Sequence, residues 1–252
     1  MLMPMVELRT LHGTTQILEA DRLLRRVWNT KAGEDPPLAV DLMCAFAHTG
    51  GYVGGALLDG VLVGVASGFL AAGGGLHSHV AGVAPEMQGR GIGQAIKAHQ
   101  RSWAASRGLT FVSWTFDPLV RRNAHLNLTR LGARVSQYVP DFYGPLTDGI
   151  NDGDASDRLF VHWPVSPVAA APLPLDPPVV IVSSAGVVRP PDGAAVLHCG
   201  TPSDISHLRR EDPAEARRWR AVVRDALGGA LASGYRISAF TKDGFYVLER
   251  AA

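Results

Sequence analysis

The most informative stretch of the sequence is LHSHVAGVAPEMQGRGIGQAIKAHQRSWAASRG, residues 76–108. Its pattern predicts a strand over His77–Val83, a turn at Pro85, and then a glycine-rich loop that runs directly into a helix over Gly91–Arg107. Glycines let the backbone approach a ligand closely, and the first turn of a helix offers unpaired N–H groups and the positive end of its dipole. This arrangement predicts a binding site for phosphate groups.

Two well-known phosphate loops do not fit the segment Gln88-Gly89-Arg90-Gly91-Ile92-Gly93. A Walker A loop needs G-x-x-x-x-G-K-[ST], and neither Lys-Ser nor Lys-Thr follows these glycines. In a dinucleotide fingerprint that starts at Gly89, Gln94 would occupy the third glycine position. The pattern that matches is Q/R-x-x-G-x-G/A between a strand and a helix. A glycine-rich helix start without a ligand stays open as the alternative.

This loop resembles the pyrophosphate loop of the GNAT superfamily of N-acyltransferases, which use acyl-coenzyme A. From about Val6 to Trp163 the predicted elements follow that family's order. The segments LHSH, WTFDPL and DRLFVHW are most similar to a branch of predicted acetyltransferases, some of which are linked to N-acylation, including succinylation, of amino acids. The resemblance implies an α/β (α+β) fold with a mixed, mostly antiparallel sheet and flanking helices. It also implies an acyltransferase with acetyl-CoA or another acyl-CoA as co-substrate, and a small-molecule amine as its partner.

The resemblance also implies which residues bind the coenzyme. Val83 would offer backbone groups to the pantetheine arm and the thioester, and Asn123 would reach the pantetheine. The pyrophosphate would be held, mostly through the main chain, by Gln88, Gly89, Arg90, Gly91, Ile92 and Gly93.

The usual acid of the family is missing from its expected position. Members often carry a Tyr four residues before the glycine of a Leu-Gly-Phe motif, where it protonates the departing thiolate. Here that glycine is Gly132, and Leu128 stands at the Tyr position. Tyr138 and Tyr143 are the nearest tyrosines in sequence, and Tyr138 is the candidate acid. The missing Tyr leaves open a different class of protein, a non-catalytic module that binds or senses acyl-CoA.

Acyl transfer to an amine needs a base, and two histidines precede the loop. His77 and His79 alternate with Ser78 on the predicted strand, so their side chains share one face. An imidazole titrates near neutrality and can serve as a base directly or through water. Structural histidines and a His-x-His metal site are the alternatives, but no third metal ligand stands out, so no metal is predicted.

Several other polar residues carry weaker predictions. Arg121 and Arg122 begin the helix of Asn123 and would bind phosphates or a carboxylate, or form a solvated helix face. Asp117 is expected to cap that helix. In the later helix, Trp219 is expected to pack in the core, and Arg220 to be a surface charge or part of an acceptor pocket.

Composition narrows the class of protein. The chain has 252 residues, 46% hydrophobic and 19% charged, with a net charge of +1. Such a chain can bury a core and has no general attraction for nucleic acid or anionic membranes, so neither is an expected partner. Two cysteines, no signal-peptide pattern and no long apolar run favour a cytoplasmic protein. A homodimer remains possible.

Prolines divide the chain. Eight of its 17 prolines lie in residues 164–191, which predicts an extended arm with one strand at Val179–Ser183. The predicted parts are an acyltransferase domain over residues 1–163, this Pro-rich arm over residues 164–191, and a C-terminal helix-plus-hairpin extension over residues 192–252. The helix at Pro213–Ser233 has one apolar face and cannot be stable alone, so the extension should pack on the first domain.

Overall fold

The structure is a computed structural model that describes residues 6–144, 154–166, 176–184, 186–188 and 193–250. The chain divides into two compact units. The first unit comprises Met1–Trp114 with Pro164–Pro167, and the second comprises Thr115–Trp163 with Val168–Ala252.

The first unit alternates strands and helices in the order that the sequence predicts. Its elements are β1 (Glu7–Thr10), α1 (Gly13–Trp28), α2 (Val40–Thr49), β2 (Tyr52–Leu58), β3 (Val61–Ala71), β4 (Gly75–Val83), a 3-10 turn (Pro85–Met87), α3 (Ile92–Ala105) and β5 (Phe111–Phe116), the strand at which the chain passes into the second unit. The strands lie in this order in the sheet; β1 to β4 pair antiparallel, and β4 pairs with β5 in parallel. The predicted α/β architecture with a mostly antiparallel sheet is confirmed.

Local turn chemistry and apolar patterning explain this sheet. Asp59 and Gly60 join β2 to β3 with φ of 49° and 80°, the left-handed pair that a tight two-residue hairpin requires. The apolar side of α1, including Ile17 and Leu24, is fully buried in a cluster with Met43 of α2. Burying this helix stripe against the sheet holds the first unit together.

The second unit contains two antiparallel hairpins that each follow a helix. Its elements are α4 (Arg121–Ala124), a π-helical turn (His125–Arg130), β6 (Arg134–Val139), β7 (Arg158–Pro164), β8 (Val179–Ser183), β9 (Gly186–Val187), β10 (Val196–Gly200), α5 (Ile205–Glu211), α6 (Pro213–Ala232), β11 (Tyr235–Phe240) and β12 (Phe245–Arg250). Strands β6 and β7 pair antiparallel. A five-stranded sheet has the order β11-β12-β10-β8-β9, with β8 and β10 parallel.

Four charged side chains are buried together in the second unit, and we call them the ion cluster. Arg220 of α6 donates to both oxygens of Asp117, at 2.8 and 2.9 Å, and to Asp154 at 2.9 Å. Arg209 of α5 donates to Asp117 at 2.6 Å and to Asp154 at 2.9 Å. Two cations and two anions neutralise one another, which is what allows all four to lie away from water.

The ion cluster corrects two predictions. Asp117 does not cap α4, whose N-cap residue is Val120; one Asp117 oxygen accepts from the Leu119 N–H, and both face the arginines. Arg220 is not a surface charge, because it is only 3% exposed. Trp219 is 8% exposed, so its predicted packing in the core is confirmed.

The element boundaries agree closely with the sequence, with three differences. Proline favours the first position of a helix, but α2 begins only at Val40, after Pro37, because its N-cap residue Ala39 is extended. The helix that Arg121 and Arg122 begin is α-helical only to Ala124 and then becomes a π-helical turn. The two-residue strand β9 has no sequence signal, whereas β8 at Val179–Ser183 is confirmed.

The domain boundaries at residues 163 and 191 stay a prediction. The C-terminal extension is expected to pack on residues that precede the Pro-rich arm. Inside the second unit, ion pairs join Asp117 and Asp154, which precede the arm, to Arg209 and Arg220, which follow it. None of the helices in the described ranges has the length and apolar character needed to cross a membrane.

Candidate active site

The glycine-rich loop lies between β4 and α3 as predicted. Gly89 and Gly91 have φ of +76° and +78°, a backbone region that side chains with a Cβ rarely adopt. A Cβ built on either residue would meet no atom within 4 Å. These glycines are therefore required by the backbone turn, and the space in front of the loop is open to a ligand.

The start of α3 leaves backbone donors without a partner inside the helix. The first hydrogen bond of α3 runs from the Ala95 N–H to the Gly91 carbonyl at 3.0 Å, so the N–H groups before Ala95 have no partner inside the helix. The Gln88 side-chain amide donates back to the Val83 carbonyl at 3.3 Å and closes the turn. Main-chain donors at a helix start suit the oxygens of a phosphate.

Strand β4 changes partners along its length. Its parallel pairing with β5 in the first unit runs from Gly75–Phe111 to His77–Ser113, whereas its antiparallel pairing with β3 continues to Val83. The register against β3 shifts after Ser67, so that His79 is an extra residue between the paired Ser78 and Val80. Such a bulge turns a side chain out of the regular alternation and is common beside active sites. The sequence did not predict it.

The two histidines before the loop differ in accessibility. His77 is 9% exposed, and its Nδ1 lies 3.1 Å from the Ser113 hydroxyl. His79 is half-buried, and this burial lowers its pKa below the ordinary 6.5. Both imidazoles lie near the Phe69 ring, at centroid distances of 5.2 and 6.1 Å. A half-buried imidazole that is neutral at pH 7 is suited to accept a proton, whereas His77 belongs to a buried network.

A buried lysine contacts Ser78, the residue between the two histidines. Lys97 of α3 is 7% exposed; its Nζ donates to the Ser78 hydroxyl at 2.8 Å and lies 4.1 Å from the centre of the Trp114 ring. Gln100 completes the group by donating to Ser78 at 2.9 Å. Burial lowers the pKa of Lys97 to about 7. Sequence reasoning missed this residue, although Lys97 directly follows Ile96 and precedes Gln100 by about one turn, and all three are buried in α3.

The remaining candidates lie in the second unit. Asn123 is half-buried in α4, and Leu128, at the usual Tyr position, is buried at 7% exposure. The Tyr138 hydroxyl donates to Asp157 at 2.6 Å, and both burial and this carboxylate raise the pKa of the phenol. The Tyr143 hydroxyl is 3.2 Å from that of Thr115. Tyr138 is thus held by a carboxylate, and its role as the acid stays a prediction.

Two further expectations can be compared with the described residues. The Arg121 guanidinium donates from Nε to the Thr201 hydroxyl at 3.1 Å and from Nη2 to the Thr201 carbonyl, so it is not part of a solvated helix face. Over the described ranges, no group of three or more His, Cys, Asp or Glu side chains could hold a metal ion.

Comparison with known proteins gives one match to a family model and many solved structures with a similar fold. The model of the acetyltransferase (GNAT) family matches residues 17–132. No curated protein sequence matches the chain.

Three solved structures illustrate the likeness. The ribosomal-protein-S18-alanine N-acetyltransferase from Escherichia coli is 18% identical, with 66% of this chain and 97% of that chain covered and a TM-score of 0.52. The structure of yncA from Salmonella typhimurium, which contains its cofactor acetyl-CoA, is 17% identical, with 66% of this chain and 98% of that chain covered and a TM-score of 0.52. An aminoglycoside 6'-acetyltransferase type Ii is 16% identical, with 65% of this chain and 99% of that chain covered and a TM-score of 0.52. Identities this low show a shared fold.

Proposed function

Because residues 17–132 match the model of the acetyltransferase (GNAT) family, we propose that the chain transfers an acyl group from acetyl-CoA or succinyl-CoA to the primary amine of an amino acid. The observation that carries the proposal is the open loop between β4 and α3. It combines two glycines at positive φ with a run of unpaired helix N–H groups, directly after a bulged strand that bears a neutral histidine.

The residues present fit acyl-CoA as a co-substrate. In the proposal the pyrophosphate is bound by the main chain from Gln88 to Gly93, and the pantetheine by backbone groups of Val83 and by Asn123. Acyl-CoA supplies an activated acyl group with a thiolate leaving group. An open, glycine-lined loop matches the close approach that phosphate oxygens need, since any side chain at Gly89 or Gly91 would project into that space.

His79 is the proposed general base. The attacking amine must lose a proton before or during attack, and a half-buried imidazole with a lowered pKa is unprotonated at neutral pH. The bulge at His79 separates it from the regular strand and leaves its ring beside Phe69, whose side chain is 37% exposed. His77, which is buried against Ser113, is the second candidate and positions the strand in this account.

A covalent acyl-enzyme is not part of the proposal. Cys199 is fully buried and burial raises the pKa of its thiol to about 12, so the thiolate nucleophile would be scarce. Cys44 lies in α2 and not in the loop. Direct attack of the amine on the thioester in a ternary complex is therefore the proposed route, with Tyr138 or solvent protonating the thiolate.

The amino-acid acceptor rests on the sequence resemblance. Two of the similar structures are named for acceptors of very different size, an alanine of a ribosomal protein and an aminoglycoside, so the shared fold does not select an acceptor.

Thiol release tests the proposal. The full chain is incubated with acetyl-CoA or succinyl-CoA and each amino acid in turn, and free thiol is measured alongside the mass of the N-acylated product. We expect product with at least one pair and loss of about 10²-fold or more in kcat for His79→Ala. A chain that binds acyl-CoA but releases no thiol with any acceptor would instead be a sensing module.

A further inference from the structure

A second cleft lies in the second unit, at the carboxyl ends of the parallel strands β8 and β10. Its volume is about 480 Å³, and it is lined by Ser183 and Ser184 after β8 and by residues 200–204 after β10. Clefts outside the carboxyl ends of neighbouring parallel strands are the usual ligand sites of open α/β sheets. The volume also falls in the range of small-molecule pockets.

Close packing of the two strands shapes the floor of this cleft. A Cβ on Gly200 would come within 2.7 Å of the Val182 carbonyl oxygen, so only glycine lets β10 approach β8 there. The next residue, Thr201, is 3% exposed and is fixed twice to Gly244, through its N–H at 3.0 Å and its hydroxyl at 2.8 Å. The polar wall is therefore held rigidly by the turn between β11 and β12.

Two opposite charges line the cleft close enough to interact: burial lowers the pKa of Arg121, and the negative charge of Asp243 opposes that shift. The Arg121 guanidinium is held against Thr201 by two hydrogen bonds, and the Asp243 carboxylate lies in the same lining. Across the described residues, no ion pair within 4.0 Å joins Arg121 to Asp243. Asp204 and His207 are the other titratable groups of the lining, and the Asp204 carboxylate caps α5 through the His207 N–H at 2.9 Å.

The rest of the lining is apolar. Trp219 and Phe245 provide aromatic surface, and Pro202 and Leu208 provide aliphatic surface. Phe245 is stacked on His198 with the ring centroids 5.7 Å apart, so its position is fixed. A ligand bound here would meet one cation, two anions and an apolar wall.

We propose that this cleft binds a zwitterionic α-amino acid with an apolar side chain. The carboxylate of the ligand pairs with Arg121, its ammonium group pairs with Asp243, and its side chain packs on Trp219 and Phe245. A simple carboxylate would be repelled by Asp243 and Asp204, and a simple amine would be repelled by Arg121.

Calorimetric titration of the full chain with L-phenylalanine tests the proposal. Two analogues each remove one charge: L-phenylalaninamide lacks the carboxylate, and N-acetyl-L-phenylalanine lacks the ammonium group. We expect phenylalanine to bind, and both analogues to bind at least tenfold more weakly. Arg121→Gln and Asp243→Asn should each weaken phenylalanine binding by tenfold or more. Lys242→Gln, which removes an exposed charge next to Asp243 in sequence but outside the lining, should not.

The experiment separates this cleft from the proposed catalytic site. His79→Ala should abolish turnover and leave phenylalanine binding unchanged if the cleft is the site of binding. Failure to detect binding by the wild-type chain, or equal binding by the Arg121 and Asp243 variants, would overturn the assignment. Binding without thiol release in any assay would instead contradict the proposed acyl transfer and leave this cleft standing.

Discussion

Replacing Arg220 by Leu should strongly destabilise the second unit. In the wild type, two arginines and two aspartates form a neutral cluster in which Arg220 and Asp117 are 3% and 7% exposed. Arg220→Leu leaves Asp117 and Asp154 hydrogen-bonded to Arg209, so the ion cluster then carries a net charge of −1; the buried Arg158 acts on Asp117 through its charge in both proteins. Removing one partner of a buried ion pair typically costs about 3–5 kcal/mol, because the remaining charge stays desolvated. We expect a loss of that size in the free energy of unfolding.

Urea unfolding of the full chain at pH 7 measures this loss. Arg218→Leu is the matched control, since Arg218 lies on the same helix but pairs with Glu215 at the surface, and it should change stability little. The double variant Asp117→Asn/Arg220→Leu should regain part of the stability, because it restores a neutral cluster. If Arg220→Leu lost no more unfolding free energy than the control, the ion cluster would not stabilise the second unit. It would then also not hold the residues before the Pro-rich arm to those after it.

The pH dependence of the same cluster has a defined sign. Arg220 and Arg209 hold the pKa of Asp117 well below its ordinary value of 3.8. The wild type therefore keeps this stabilisation above the unfolded pKa of the carboxyl and loses it as pH falls toward the lowered folded pKa. In Arg220→Leu the deficit should shrink on acidification, because protonating an aspartate removes the unpaired charge.

Three further perturbations test the first unit. Gly91→Val should weaken acetyl-CoA binding about tenfold or more in calorimetry. Gly108→Val is the control and should not weaken binding, because it carries comparable strain at φ +70° but lies beyond the other end of α3. Equal affinities of the two variants would show that the loop does not bind the coenzyme. In the wild type, kcat/KM should rise with pH through a pKa below 6.5, which is that of His79. His79→Ala should flatten that rise. An unchanged pH profile of kcat/KM in the variant would show that another group is the base. The wild type should gain stability relative to Lys97→Met as pH rises from about 7 toward 10.5, by up to about 1.4 kcal/mol per pH unit. The reason is that in this pH range the lysine binds a proton in the unfolded chain and releases it in the folded chain. If chemical unfolding gave a stability difference independent of pH, Lys97 would not be desolvated.

The sequence predicts the elements of this fold well, for identifiable physical reasons. The Asp59-Gly60 turn and the glycine-rich helix start carry strong local signals, since both need backbone angles that few residues adopt. The apolar stripe of α6 is likewise visible, because its period is that of a helix. Such features depend on neighbours in sequence, so they can be read without knowing the tertiary structure.

The polar interior could not be predicted in the same way. The ion cluster joins Asp117 to Arg220, which are 103 residues apart, and nothing local distinguishes Arg220 from the exposed Arg218. Lys97 appears polar in the sequence, yet its ammonium group is buried between Ser78 and Trp114. The bulge at His79 depends on the register of β3 and β4, which alternation alone does not fix.

The second cleft could not be predicted from the sequence either, because its lining residues are far apart along the chain. The sequence predicts phosphates, a carboxylate or solvent as the partner of Arg121, but the structure holds it against Thr201, 80 residues later. Asp243 lies in the turn before β12 and interacts with Arg121 through its charge, although the two residues are far apart in sequence. The charges of a pocket become visible only when strands from distant parts of the chain are paired.

In the proposed reaction, the β4–α3 loop holds acyl-CoA so that an amine beside His79 can attack its thioester. The most direct test mixes stoichiometric acyl-CoA with the full chain and each amino acid, and follows thiol release and product mass in a single turnover. We expect one N-acylated product per thiol released for at least one donor and acceptor, and loss of this signal in His79→Ala with coenzyme binding retained. Full turnover in both His79→Ala and Gly91→Val, or coenzyme binding without any thiol release in the wild type, would contradict it.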